Sequence, residues 1–202
     1  MDKPYSQACE NNKAAILAVI REIFSEPTTV WEIGSGTGQH ACYFASELSH
    51  LIWQPTDVIA NLPGINAWRD EAQLANLSEP LALDVTRPIW PCDGVDAVFT
   101  ANTLHIMNWQ NVEILFERFQ TYLNPSATVC IYGPFNYNGK YTSDSNANFD
   151  QWLKSRDPLS GIRDFEAVMA LAEHTGLRLL KDNAMPANNR LLVLQKSANT
   201  FA

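Results

Sequence analysis

The 202-residue chain predicts an α/β protein: a doubly wound, seven-stranded sheet, mostly parallel, ending in a C-terminal antiparallel hairpin strand, with helices on both faces. Two observations predict it. Short β-branched, apolar runs alternate with helix-period segments as far as Gly133, which is the pattern of strands joined by right-handed helical crossovers. The last two strand-like runs, "LRLLKDNAM" and "RLLVLQK", are instead joined only by "PANN", a hairpin-length connection.

Taken in order, Ile16, Val19, Ile20 and Ile23 recur at helical spacing and predict a first helix over 6–24, ended by Pro27. "TTVWEI" (28–33) reads as a buried strand, and "QHACYFASEL" after the glycine loop as a helix. "LIWQPTD" (51–57) is the second strand and "INAWRDEAQLA" a helix opened by Pro63-Gly64. "LALDV" (81–85) and "VDAVFTAN" (95–102) are strands three and four. Val112, Leu115, Phe116, Phe119 and Leu123 share one helical face, and "ATVCIYG" (127–133) is strand five. A polar stretch, "PFNYNGKYTSDSNANFD", is too long for an ordinary connection and is read as either functional or disordered. "FDQWLKSR" and "RDFEAVMALAEHTG" follow as helices, the second stopped by Gly176. The chain is taken as one domain, 1–202, with 1–27 an N-terminal helix and cap and 134–163 an inserted loop and short helix over the active-site edge. In such a fold the ligand cleft lies at the carboxyl ends of the strands, near the switch point.

Composition narrows the function classes. A net charge of −8 repels phosphate backbones, so no nucleic-acid partner is expected. Cys9, Cys42, Cys92 and Cys130 form no CxxC pair, which leaves zinc and redox motifs unsupported and suits a reducing cytoplasm. The polar start "MDKPYSQACENNK" has no signal-peptide core, and no apolar run is long enough to span a membrane.

The chemistry concentrates in "VWEIGSGTGQH", Val30 to His40. Gln39 occupies the last glycine position of the dinucleotide fingerprint, and no lysine completes a P-loop. Glu32 stands two residues before the first glycine, where its charge repels a phosphate and suits a cationic ligand, an ammonium or a sulfonium.

Glu32 followed by Gly34, Gly36 and Gly38, with Ser35 and Thr37 between them, resembles motif I of the class I S-adenosylmethionine-dependent methyltransferases, whose fold is Rossmann-like. Two further strand ends match. The resemblance implies that Asp57 grips the ribose hydroxyls, and that Asp84 accepts from the adenine amino group with Val85 beside the ring. A carboxylate at a strand end is commonly just a turn former or cap, but three at successive strand ends around one glycine loop carry more weight. His40 opens the next helix, within reach of the cofactor. The segments "EIGSGTGQHA", "WQPTD", "NLPGINAW", "LDV", "YGPFNYNGKYTSDSNANFD", "RDPLSGIRD" and "MPANN" resemble a narrower family, domain of unknown function 938, whose animal members are called methyltransferase-like protein 26. This implies the class I fold and S-adenosyl-L-methionine as cofactor, and implies little about the acceptor.

For the acceptor end, Asn102 closes strand four, where the resemblance implies contact with both cofactor and acceptor, and His105, three residues on, is read as base or orienter against the plainer reading of a histidine packed beneath its loop. Tyr132, Asn136, Tyr137, Lys140, Ser143, Ser145 and Asn146 would form a lid or an acceptor wall, with Tyr132 counted beside His105 and Asn102 as a catalytic candidate. Arg156, Arg163 and Asp164 would meet an acidic acceptor group, or else merely brace their loop. "CENNK" (9–13) is read as a cap over the cofactor or an ordinary helix start. The tryptophans are read as packing, since none is interleaved with basic residues. The expected function is methyl transfer to a small-molecule acceptor. The alternatives are a non-catalytic S-adenosylmethionine or S-adenosylhomocysteine binder and, third, an NAD-dependent oxidoreductase.

Overall fold

The computed structural model describes residues 3–26 and 28–198. Pro27, expected to end the first helix, and the first two residues of the expected cap lie outside the described residues. The chain divides into two compact units, one up to Thr100 and one from Ala101.

In the first unit, α1 (Gln7–Ile23) starts at Ser6, whose hydroxyl accepts from the Cys9 amide, and buries Ile16, Leu17 and Ile20. The strand β1 (Thr29–Ile33) is buried from Val30 onward, as a strand covered on both faces must be. It pairs in parallel with β2 (Ile52–Asp57), Val30 opposite Trp53 and Glu32 opposite Pro55. Between them lies α2 (Gln39–Glu47). The helix α3 (Leu62–Ala72) follows, with a proline in its first turn where no helical N–H is lost. The third strand, β3, is only Leu81–Ala82 rather than 81–85, paired with Thr56 and Asp57. Asp84 instead closes a turn through its own side chain, accepting from the Thr86 amide (2.9 Å) and hydroxyl (2.7 Å). An aromatic cluster of Phe44, Trp53 and Phe99, with centroids 5.2–5.7 Å apart, fills the core of this unit. Phe99 belongs to β4 (Val95–Ala101).

In the second unit, α4 (Trp109–Tyr122) is capped by Asn108, which accepts from the Asn111 amide, and buries Val112, Leu115, Phe116 and Phe119. It runs directly into β5 (Leu123–Gly133). The polar stretch after Gly133 is ordered. It contains β6 (Phe135–Asn136) and the first part of α5 (Asp144–Arg156), which starts well before "FDQWLKSR" because Ser143 caps it and accepts from the Asn146 amide (3.1 Å). The strand β7 (Arg163–Asp164) pairs in parallel with β6, a small ladder that the sequence pattern does not announce. Then come α6 (Phe165–His174), β8 (Leu177–Met185), a 3₁₀ turn at Pro186–Asn188 and β9 (Asn189–Lys196).

The strand order is β3-β2-β1-β4-β5-β9-β8, with β9 antiparallel to both neighbours. This is the expected seven-stranded, mostly parallel sheet with its antiparallel hairpin strand. No helix among the described residues is long and apolar enough to cross a membrane.

Candidate active site

The glycine loop leaves the carboxyl end of β1 with Gly34, Gly36 and Gly38 all at positive φ (77°, 58° and 90°), a conformation that costs glycine little. The amides of Gly34 and Ser35 donate to the Thr56 carbonyl, each at 3.0 Å, which fastens the loop to β2. At Gly38 a Cβ would lie 3.0 Å from the Ile65 Cα, so helix α3 closes that side. At Gly36 a Cβ would meet nothing within 4 Å, so the loop opens there.

Two carboxylates hold this loop. Asp57 Oδ2 accepts from the Gly36 amide (2.7 Å), while Oδ1 accepts from the Val58 amide (2.7 Å) and Asn61 Nδ2 (2.9 Å). Glu32 lies beneath it, 2 % exposed, its Oε2 accepting from Ser35 Oγ (3.0 Å) and Trp53 Nε1 (3.1 Å). Burial pushes the Glu32 carboxyl up to about 7, and the nearby Asp57 charge adds to the rise against those two hydrogen bonds. Asp84 is exposed, and the bonds from Thr86 hold its carboxyl below the usual range. Val85 beside it is buried.

Gln39, the residue that breaks the dinucleotide fingerprint, ties down the N-terminal segment. Its Oε1 accepts from the Ser6 amide (2.5 Å) and the Thr37 hydroxyl (3.0 Å), and its Nε2 donates to Glu10 (2.8 Å) and the Ser6 carbonyl (3.3 Å). His40 is the second tie. With Asn12 Oδ1 as acceptor at 2.7 Å, its Nε2 carries the proton, leaving Nδ1 facing the Cys9 thiol at 3.9 Å. The third tie is on α3, where Trp68 Nε1 donates to the Pro4 carbonyl (2.7 Å). A Cβ on Gly64 would come within 2.7 Å of the Pro4 ring, so only glycine admits that approach. "CENNK" therefore docks on the start of α2 rather than standing free, and Asn12 is buried. Burial raises the Cys9 thiol and pulls the His40 imidazole down to about 4, so the pair is neutral at pH 7.

In the second unit, Asn102 follows β4 in a left-handed conformation (φ 57°), its amide donating to the Tyr132 carbonyl (2.9 Å). Tyr132 itself is buried inside β5. His105 is 5 % exposed, edge-on to Phe149, and its ring nitrogens have no hydrogen-bond partner among the described residues. Burial, helped by the Arg163 charge, pulls it down to about 4.

The turn carrying His105 is clamped. Its four successive carbonyls all accept from residues 160–163: Leu104 from Arg163 Nε (3.0 Å), His105 from the Gly161 amide (2.9 Å), Ile106 from Ser160 Oγ (2.7 Å) and Met107 from Arg163 Nη2. Arg163 Nη2 also donates to the Leu159 carbonyl (3.1 Å). Arg163 thus binds backbone carbonyls, and no ion pair joins it to Asp164 among the described residues. Buried Asp150 fixes the clamp, its Oδ1 accepting from the Ile162 amide (2.7 Å) and its Oδ2 from the Tyr141 hydroxyl (2.6 Å) and Lys154 (2.6 Å).

The two histidines predict acid lability. Each prefers the neutral form when folded, so stability is full above pH 6.5 and is lost as pH falls toward 4. The loss between pH 7 and pH 5 is roughly 2 kcal/mol for each. Urea midpoints at the two pH values check it, best in Glu32→Gln protein, where the opposite titration of Glu32 is absent.

Comparison with solved structures gives the same fold at low identity. An O-methyltransferase family protein from Burkholderia thailandensis matches with a TM-score of 0.82 at 14 % identity, over 93 % of this chain and 57 % of that one. The S-adenosylmethionine-dependent methyltransferase SibL matches at 0.79 and 18 %, over 94 % and 55 %. Human N-acetylserotonin methyltransferase, solved with S-adenosylmethionine, matches at 0.74 and 14 %, over 95 % and 53 %. The chain therefore spans little more than half the length of these structures. A family model described as protein of unknown function, DUF938, matches residues 3–196, and the chain belongs to that family.

Proposed function

We propose that this protein transfers the methyl group of S-adenosyl-L-methionine to a small-molecule acceptor. The observation that carries the reading is the loop itself: three left-handed glycines, open at Gly36, with Asp57 at its edge and a buried carboxylate, Glu32, beneath. The donor set fits the group. Glu32 is held in a site that disfavours its charge, and a cationic ligand relieves that cost. Asp57 has lone pairs beyond its three present bonds for a ribose diol. Asp84 has one oxygen outside the Thr86 turn for an adenine amino group, and Val85 supplies an apolar wall. The docked N-terminal segment serves as the cap. The narrower kinship with methyltransferase-like protein 26 belongs to the same reading. The net charge of −8 favours a small acceptor over nucleic acid. Four free cysteines favour a reducing compartment, the cytoplasm.

The cofactor supplies an electrophilic methyl group on a sulfonium. The residues of the chain orient and exclude water. Neutral His105, with its ring nitrogens unengaged, takes the acceptor's proton or holds its nucleophilic atom in line. Asn102 and Tyr132 set the strand ends beside it.

Titration calorimetry with S-adenosylmethionine, S-adenosylhomocysteine and NAD tests the reading. Both sulfur ligands should bind and NAD should not; binding of NAD alone would reverse it. Asp57→Ala should weaken the sulfur ligands by roughly 1.5–3 kcal/mol, the worth of hydrogen bonds to a charged group. Unchanged affinity would remove Asp57 from the site. A low His105 pKa makes a weak base, which favours a second reading: binding without transfer. Release of S-adenosylhomocysteine with an acceptor panel separates the two.

A further inference from the structure

Two of the most specific sequence segments, "KYTSDSNANFD" and "MPANN", meet around one cavity of about 350 Å³. It is lined by Tyr137 and Thr142 on one side and by Met185, Asn188 and Arg190 on the other. Buried Asn146 joins the two sides, its Nδ2 donating to Thr142 Oγ1 (2.8 Å) and to the Asn188 carbonyl (3.1 Å). Ala187 and Asn188 are both left-handed (φ 56° each), a conformation strained at Ala187 and common for asparagine. The volume lies at the small end of ligand pockets, about 300–1,000 Å³.

The chemistry of the wall is specific. Asp182 accepts from Arg190 Nε (2.7 Å) and the Tyr137 hydroxyl (2.8 Å), fixing the guanidinium beside the Tyr137 ring. Arg190 also donates to the Asp182 carbonyl through Nη2 (3.2 Å), and its side chain reaches the Tyr137 hydroxyl, so the guanidinium is fixed in the wall of the cavity. Thr142 Oγ1 has one lone pair taken by Asn146, so its own proton is free to donate. A guanidinium and a hydroxyl proton, lining one cavity with the Met185 side chain, suit carboxylate oxygens on an apolar body. Gly133, directly opposite Arg190 in the β5–β9 ladder, backs onto His105, with 3.6 Å from Nδ1 to the position a Cβ would take. We propose that this cavity seats the acceptor, and that the acceptor is a small organic carboxylate anchored by Arg190 and Thr142. The assignment as acceptor site rests on the methyl-transfer reading; the carboxylate pocket does not.

The test uses benzoate against benzamide, equal in size and different in charge, followed by ligand-observed NMR and by the Thr142 and Asn188 amide shifts. Wild-type protein should bind benzoate roughly tenfold more tightly than benzamide, the worth of one charge-assisted bond. Arg190→Gln should erase that preference. Because Arg190→Gln also breaks the Asp182 pair, Ala184→Leu serves as a second variant, filling the cavity from the position directly opposite Arg190 in the β8–β9 ladder while keeping both Arg190 and Asp182. It should lose benzoate binding while keeping its melting temperature. Equal affinity for the two probes, or benzoate binding that survives both variants, overturns the pocket. S-adenosylhomocysteine binding is measured on the same samples. Its absence alongside benzoate binding defeats the methyl-transfer reading and its acceptor assignment but leaves the carboxylate pocket standing; its presence without benzoate binding does the reverse.

Discussion

Glu32→Gln makes the ligand-free protein more stable at pH 8 and weakens its hold on S-adenosylmethionine. The folded chain binds the Glu32 proton more tightly than the unfolded chain does, with a carboxyl raised from 4.5 to about 7. The stability this group contributes is therefore present at low pH and lost as pH rises from 4.5 through 7. Above pH 7 the buried charge costs up to ~3 kcal/mol. Glutamine has nearly the same shape and still offers a carbonyl oxygen to Trp53 Nε1 and Ser35 Oγ, so it removes the charge without emptying the site. The variant's advantage opens between pH 4.5 and 7 and is flat beyond. At about 2–4 °C per kcal/mol for a chain of this size, the melting temperature at pH 8 rises by several degrees. No gain at pH 8 over pH 4.5 would mean that the carboxylate is well solvated or well paired after all.

On the proposed reading the same charge has a use in binding. A sulfonium or ammonium favours ionised Glu32, so binding at pH 6 releases close to one proton and binding at pH 8 releases almost none. Calorimetry in buffers of different ionisation enthalpy measures this directly. Glu32→Gln abolishes the proton release and the fall in affinity below pH 7. Proton release unchanged in the variant would place the cation elsewhere.

The strands and the glycine loop were readable because their signals are local: alternation, apolar runs and residues of fixed spacing. Where the reading strayed, a side chain overrode composition. "LALDV" has a strand's residues, yet only Leu81 and Ala82 find partners on β2, and Asp84 turns the chain back onto Thr86. "TSDSN" looks like loop, yet Ser143 makes it the start of a helix. Gln39 was legible only as a missing glycine, because the groups it binds, Ser6 and Glu10, lie some thirty positions away. Asn12, a polar residue on an otherwise apolar helical face, was the one signal that pointed to this docking. The clamp on the His105 turn left no trace in sequence, since its targets are backbone carbonyls, which every residue has.

That clamp carries the second large effect. Arg163→Met removes the donors to the Leu104 and Met107 carbonyls and to that of Leu159, leaving them to find water or stay unpaired. With bonds to a charged group worth about 1.5–3 kcal/mol each, the variant loses several kcal/mol of stability unless water replaces part of them. More telling is His105. Its low pKa comes first from burial and then from the Arg163 charge, and the substitution removes the second, so the imidazole rises from about 4 while staying below its ordinary value. NMR titration of the ring reads this without any knowledge of the acceptor. Arg163→Lys separates the causes. A lysine ammonium keeps the charge but lacks the planar fork that reaches three carbonyls at once, so it restores little stability. S-adenosylhomocysteine affinity, assigned to residues from Glu32 to Asn102 and not to Arg163, should stay within about twofold in both variants, a change well under the ~1.4 kcal/mol of a tenfold effect. If both the stability and the His105 titration are unmoved in Arg163→Met, the turn is held by Ser160 and Gly161 alone, and Arg163 is not its positioning residue.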